Sequence, residues 1–421
     1  MRLTRRQLLA ASAAGLVLPR VSRPAPIAPR DRRFLFIYVR GGWDPPLVFA
    51  PGFDVAGVYT GEGSVPVTYG DCALVDAPQR PSARAFFERH IDRCCVLNGV
   101  EVRSVTHATC QRLVHTGTSR AQADDWPAIL GAAASDLVLP TLVVSGLSFT
   151  DEYGGVVTRL GRRGQLLGLL DGSALAQAEP PVTRSAPEVE EAVNAAVRAR
   201  VEARVVEAEA SAQPFADAHL RALERRDRLV ELAADPDLQM PDDGAYVPVS
   251  TRVVPALRCF ELGLSRCAVV EHGGYLNHGW DTHSDIEEQT LHYEELFQDL
   301  SVVMDELDSR PGPLGGTLAD ETTVVVYSEM GRAPTLNGAY GKDHWTYTSV
   351  MLMGSGVQGN QVIGGFDSGW RGQRVDRFTG APDEAGTAMT AAHLGATLMA
   401  LADIDPADHL DGIDPIDAAL A

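Results

Sequence analysis

The sequence lacks several signatures that would assign it quickly. Its six cysteines are Cys72, Cys94, Cys95, Cys110, Cys259 and Cys267, and no two form a Cys-x-x-Cys pair. That excludes a zinc knuckle of the usual spacing. Cys94 and Cys95 lie in an apolar run and read as core residues. No Gly-x-Ser-x-Gly occurs, so a serine hydrolase of the elbow type has no anchor. No internal repeat is evident. Beyond the first thirty residues, no run approaches the roughly 20 apolar residues that a membrane helix needs. Base is scarce there too. The whole chain has 421 residues, 36 basic and 56 acidic. Six arginines and no acid fall within 1–30, which leaves 30 basic against 56 acidic residues and a net charge of −26. A surface that acidic repels phosphate backbones and argues against nucleic acid as a partner.

The first thirty residues have a character of their own. Thr4-Arg5-Arg6-Gln7-Leu8-Leu9 sets paired arginines before an uncharged Ala- and Leu-rich stretch over 8–18. A basic start, a short apolar middle and a Pro-rich exit make a twin-arginine signal peptide over 1–30. The expectation is a protein handled by the twin-arginine export machinery and working in the periplasm or outside the cell.

Short apolar β-rich runs recur at 34–39, 94–97, 142–144, 268–270, 323–327 and 350–353. None alternates strictly, as expected of strands covered on both faces. Helical patterns lie between them at 84–90, 107–115, 255–262, 288–307 and 388–401. This rhythm predicts an α/β fold, a three-layer α/β/α arrangement around a mostly parallel sheet, filling 31–421. Within it, 186–235 is almost entirely Ala, Glu, Arg, Val and Leu, and reads as a solvated helical hairpin inserted in that domain, broken near Pro214. A coiled-coil partner surface is the sharper alternative. Gly354-Ser355-Gly356-Val357-Gln358-Gly359 matches the dinucleotide fingerprint, but a turn and short strand follow instead of the helix such a site needs.

Chemistry in a parallel sheet belongs at the carboxyl ends of its strands. The first strand runs into Arg40-Gly41-Gly42-Trp43-Asp44. The second leads through Asn98-Gly99 to Val105-Thr106-His107 at the start of a helix. Thr106 there is either an N-cap or a nucleophile favoured by the helix dipole and free N–H groups. After the run at 268–270 comes the densest cluster, with His272, His278, Asp281, His283 and Asp285 among glycines. Asp281 and His283, two apart, point the same way in an extended loop. The run ending at Tyr327 delivers Ser328-Glu329-Met330-Gly331-Arg332. Lys342-Asp343-His344 precedes the run at 350–353. Several strands thus each deliver a carboxylate, histidine or hydroxyl to one edge, a mixture suited to zinc, manganese or a similar divalent ion.

Taken together, these motifs and their order resemble a twin-arginine-exported bacterial family of unknown function (domain of unknown function 1501) within the alkaline-phosphatase-like superfamily. The resemblance implies a central sheet with a divalent-metal centre (zinc, manganese, magnesium or calcium) at its carboxyl edge. It also implies hydrolysis of phosphate or sulfate esters, small or polymeric. Carried over residue by residue, Thr106 is the nucleophile position. Asp44, Asp281, His283, Glu329 and His344 are metal ligands. In a hydrolase built on these positions, Arg332 or His107 joins the metal in stabilising the equatorial oxygens. Two departures stand out: Asp281-x-His283 replaces a wider Asp-x-x-x-His spacing, and Ser328-Glu329 stands where Asp-His is usual. They suggest a more oxygen-rich centre, one metal instead of two, or a non-catalytic metal-binding scaffold that keeps the fold.

Overall fold

The computed structural model describes residues 27–160, 166, 168, 185–233, 235–239 and 246–421. The export motif at 4–9 lies outside the described residues.

The described strands are β1 (Arg33–Val39), β2 (Val65–Tyr69), β3 (Cys72–Asp76), β4 (Cys94–Glu101), β5 (Thr141–Val143), β6 (Val157–Arg159), β7 (Cys267–His272), β8 (Thr322–Ser328), β9 (Gly331–Arg332), β10 (His344–Trp345), β11 (Tyr347–Gly354) and β12 (Gln361–Gly364). The helices of seven residues or more are α1 (Pro81–His90), α2 (His107–Thr116), α3 (Trp126–Ala132), α4 (Pro187–Glu207), α5 (Gln213–Leu232), α6 (Val254–Glu261), α7 (Glu288–Ser309) and α8 (Ala391–Leu401).

Eight strands form one sheet in the order β12-β4-β11-β8-β1-β7-β5-β6. β11 runs antiparallel to both its neighbours, and every other pairing is parallel. The carboxyl ends of β1, β4, β7 and β8 therefore share one edge, and β11 starts from that same edge. Every residue of β1 is buried. Its Leu35, Ile37 and Val39 pack with Phe86 of α1, Phe260 of α6 and Phe297 of α7. Its Phe34, Phe36 and Tyr38 pack on the other face with Val114 of α2, Trp126 of α3 and Leu398 of α8. Two apolar clusters on opposite faces make three layers, which is why the strand sequences do not alternate.

Three local features differ from the reading of the sequence. The strand expected at 94–97 runs on through Asn98-Gly99 with an irregularity: Ser349 pairs with Asn98 and Thr348 with Val100, leaving Gly99 unpaired at φ 81°. A positive φ costs glycine nothing, so the strand bulges and continues to Glu101. The charged hairpin segment breaks at 208–212, with Pro214 as the second residue of α5, a position that needs no intrahelical N–H. The β2–β3 hairpin and α3 had no counterpart in the periodicity. The glycine-rich 354–359 stretch leads into β12 with no helix.

Candidate metal centre

The loop after β1 is the keel of the site. Gly41 adopts φ 127°, and a Cβ there would stand 2.8 Å from the Asp281 nitrogen and 2.9 Å from the Trp280 backbone. Only glycine lets the two loops touch. The Gly41 N–H donates to both Glu329 oxygens, at 2.9 and 3.0 Å, joining the β1 loop to the end of β8. Gln289, buried in the first turn of α7, donates to the carbonyls of Gly42 and Trp280 and accepts from the Asp44 N–H. Arg332 is wholly buried. Its guanidinium donates to the carbonyls of Gly41, Gly42, Trp280 and Lys342, and to Asp281 Oδ1 at 2.6 Å. It was expected to face a substrate. Instead its donors are spent on holding three loops and one carboxylate.

Onto this frame converge His107 at the start of α2, Asp281 and His283 beyond β7, and His344 in β10. His344 Nδ1 lies 2.7 Å from the Val105 carbonyl, a pure acceptor, so Nδ1 carries the proton and the neutral ring has its lone pair on Nε2. His107 Nδ1 lies 3.0 Å from Glu329 Oε1. His283 Nδ1 lies 3.4 Å from Asp343 Oδ1. All three rings thus aim Nε2 inward. Those atoms stand 3.1 Å (His344), 3.2 Å (His283) and 3.2 Å (His107) from the Asp281 oxygens. His283 Nε2 and His344 Nε2 are 2.9 Å apart. Two lone pairs at that distance repel unless a proton or a cation lies between them. His107 Nε2 is buried without a hydrogen-bond partner. The separations are close to the edge, about 3.3 Å, of a ligand tetrahedron with bonds of roughly 2.0 Å. Ligand atoms of His107, Asp281 and His344 all fall within 4.8 Å of one another, while His283 reaches Asp281 and His344 but falls outside that mutual group. The donor set fits a divalent ion.

Electrostatics agree with the geometry. Burial alone would raise the Glu329 carboxyl, but the His107 hydrogen bond and the Gly41 amide outweigh it and hold the group below its usual range. That hydrogen bond in turn raises His107. Burial also opposes ionisation of Asp281, yet the hydrogen bond and charge of Arg332 outweigh it and bring the carboxyl down to about 2. Both carboxyls are thus biased toward the ionised form that a cation requires.

The other expected residues fall elsewhere. Glu329 is fully buried behind His107 and orients it, with no reach to Asp281. Asp44 is buried in an ion pair with Lys342 at 2.7 Å, apart from the cluster. Thr106 is exposed at the N-cap of α2, where its side chain makes no capping hydrogen bond. It is flanked by two members of the site, the Val105 carbonyl and His107. Gln289 escaped the sequence reading, and Lys342 was read there without a role. One signal for Lys342 was available: it is the only lysine in the chain.

No curated protein matches the sequence. Solved structures with a similar arrangement include the C-terminal periplasmic domain of EcEptC from Escherichia coli, at 8% identity and TM-score 0.41, covering 91% of this chain and 85% of that one. The lipoteichoic acid synthase LtaP from Listeria monocytogenes aligns at 10% identity and TM-score 0.40, over 93% and 76%. The PsFucS1 sulfatase from Pseudoalteromonas sp. aligns at 10% identity and TM-score 0.41, over 93% and 72%. The profile of a family described as "Protein of unknown function (DUF1501)" matches residues 76–412, and the chain belongs to that family.

Proposed function

We propose that this chain is an exported, metal-dependent hydrolase of phosphate or sulfate esters, with Thr106 as its nucleophile. One observation carries the reading: three imidazole Nε2 atoms lie 3.1–3.2 Å from the Asp281 carboxylate, and one of them, on His107, directly follows the exposed N-cap Thr106. His107, Asp281, His283 and His344 are the proposed ligands. A divalent ion held there would supply Lewis-acid polarisation and favour ionised hydroxyls nearby. Imidazole-rich ligation suits zinc better than manganese, magnesium or calcium.

The remaining work belongs to the chain. Thr106 Oγ attacks phosphorus or sulfur and the ester alcohol departs; water later releases the anion from Thr106. The free N–H groups and dipole of α2 attract the anionic ester. Glu329 fixes the His107 tautomer, and Arg332 fixes Asp281. The paired arginines at 5–6 motivate export through the twin-arginine machinery to the periplasm or beyond, a route that carries proteins already folded. No described helix is long and apolar enough to cross a membrane.

Thr106→Ala tests the assignment directly. Its hydroxyl caps nothing, so the variant should keep its stability within about 0.5 kcal/mol while losing turnover of aryl phosphate, sulfate or phosphonate esters. A variant with unchanged rates would remove Thr106 from the mechanism. A second reading, a non-catalytic metal-binding scaffold, is favoured by the complete burial of Arg332, which leaves the equatorial oxygens without their expected cation. A wild-type chain that binds metal but turns over none of those esters supports it.

A further inference from the structure

Lys342 is the only lysine among the 36 basic residues of the chain. Its side chain is wholly buried, and so is that of Asp44. The ammonium donates to Asp44 Oδ2 at 2.7 Å and to the Tyr59 carbonyl at 2.7 Å, and the Tyr59 ring centre lies 5.8 Å away. Arg80 and Arg332, also buried, add positive field at Asp44. An ammonium is a compact point charge, whereas a guanidinium is a planar fork. The slot opposite one carboxylate oxygen and one carbonyl suits the former.

The family resemblance made Asp44 a metal ligand, and the residues around it do not fit that role. The group of three ligand atoms within metal reach among the described residues comprises His107, Asp281 and His344, without Asp44. Asp44 Oδ1 is buried with no hydrogen-bond partner. It is a single oxygen facing a neighbourhood already supplied with three cationic side chains. A divalent ion needs several oxygen or nitrogen ligands and would meet Lys342, Arg80 and Arg332 there.

We propose that the Lys342 ammonium fills the place of a second metal ion beside Asp44, so that the centre holds one divalent ion per chain. The inference rests on the metal reading of the His107, Asp281, His283 and His344 cluster. It deepens that reading by fixing the stoichiometry and by removing Asp44 from the ligands.

The test is metal content. Metal-stripped full-length chain is dialysed against zinc or manganese, and bound ion is counted by elemental analysis. The wild type is compared with the double variant Asp44→Asn, Lys342→Met. Neutralising both partners avoids the lone buried charge that either single change would leave. One ion per chain in both proteins, held with equal affinity, is the expected result. Two ions in the wild type, with one lost in the double variant, overturns the inference and leaves the metal reading intact. So does loss of the single ion from a folded double variant, since Asp44 would then be a ligand. No ion in the wild type overturns the metal reading, and this inference with it. The wild-type count needs no variant, so a double variant that fails to fold leaves the stoichiometry decided.

Discussion

Glu329 and His107 divide between them a task that the sequence reading gave to Glu329 alone. The carboxylate sits behind the ring, accepts from its Nδ1 and from the Gly41 N–H, and leaves Nε2 to the cluster. A carboxylate–histidine pair of this kind raises the basicity of the ligating nitrogen and fixes its tautomer, and its loss typically costs 10–100-fold in metal affinity. Glu329→Gln should therefore weaken zinc binding by about tenfold without changing the ion count. Glu329→Ala should do worse, because the buried Gly41 N–H loses its acceptor at a cost of about 1–3 kcal/mol. Competition titration against a chromogenic chelator reads both. Equal affinity in all three proteins would make Glu329 a purely structural acid. The same logic explains Arg332, whose guanidinium keeps Asp281 ionised from behind.

Among the elements, the β1 loop decides whether the centre forms at all. Gly41→Ala places a Cβ 2.8 Å from the Asp281 nitrogen, at a φ that L side chains avoid. Backbone strain of this kind costs on the order of 1–3 kcal/mol, and relief requires moving the Asp281 loop. The variant should be less stable in urea and should bind metal more weakly. Gly338, in the nearby loop between β9 and β10, is the control: a Cβ there meets nothing within 4 Å. Gly338→Ala should behave as wild type. If both glycines tolerate alanine equally, the loop contact has no bearing on the metal.

These loops also mark how far the sequence could be read. The strands at 34–39 and 323–327 were visible because both their faces are apolar. The edge they feed was visible because each next carries a polar residue after a glycine or a serine. What periodicity cannot carry is depth behind the edge. His107, the Asp281–His283 loop and His344 come from distant parts of the chain, and which way each imidazole Nε2 points depends on what its Nδ1 touches. Asp44 read as a ligand because its partner, Lys342, lies 298 residues away. Gln289 looked like an ordinary helix residue, and its burial under two loops is a tertiary fact. The bulge at Gly99 escaped for a similar reason: it rests on the pairing with β11, which is a tertiary contact.

For the molecule as a whole, the buried imidazoles set the response to mild acid. Burial takes His115 and His292 down to about 4 and His272 to about 3, from an ordinary 6.5. His90 and His393 are lowered for the same reason. Unfolding frees these rings to take up protons below pH 6.5 that the native state refuses, so this contribution weakens the fold as pH falls. Groups with raised values act in the opposite sense, their stabilisation being present at low pH and lost as pH rises through the folded value. His107 is one, Glu295 and Asp299 are others, and burial pushes Asp44 and Asp125 each to about 6. Between pH 7 and pH 6 these two aspartates go from about a tenth to about half protonated, while each unfolded imidazole goes from about a quarter to about three-quarters. Ordinary carboxylates stay ionised throughout, so self-repulsion of the acidic surface changes little. The balance is about one net proton bound on unfolding, and the native state should lose roughly 1 kcal/mol over that unit of pH. Urea unfolding at the two pH values, at fixed ionic strength and with a chelator present so that metal release does not contribute, measures it. Stability that rises on acidification would mean that the raised carboxyls dominate and that the core histidines are not held neutral by burial.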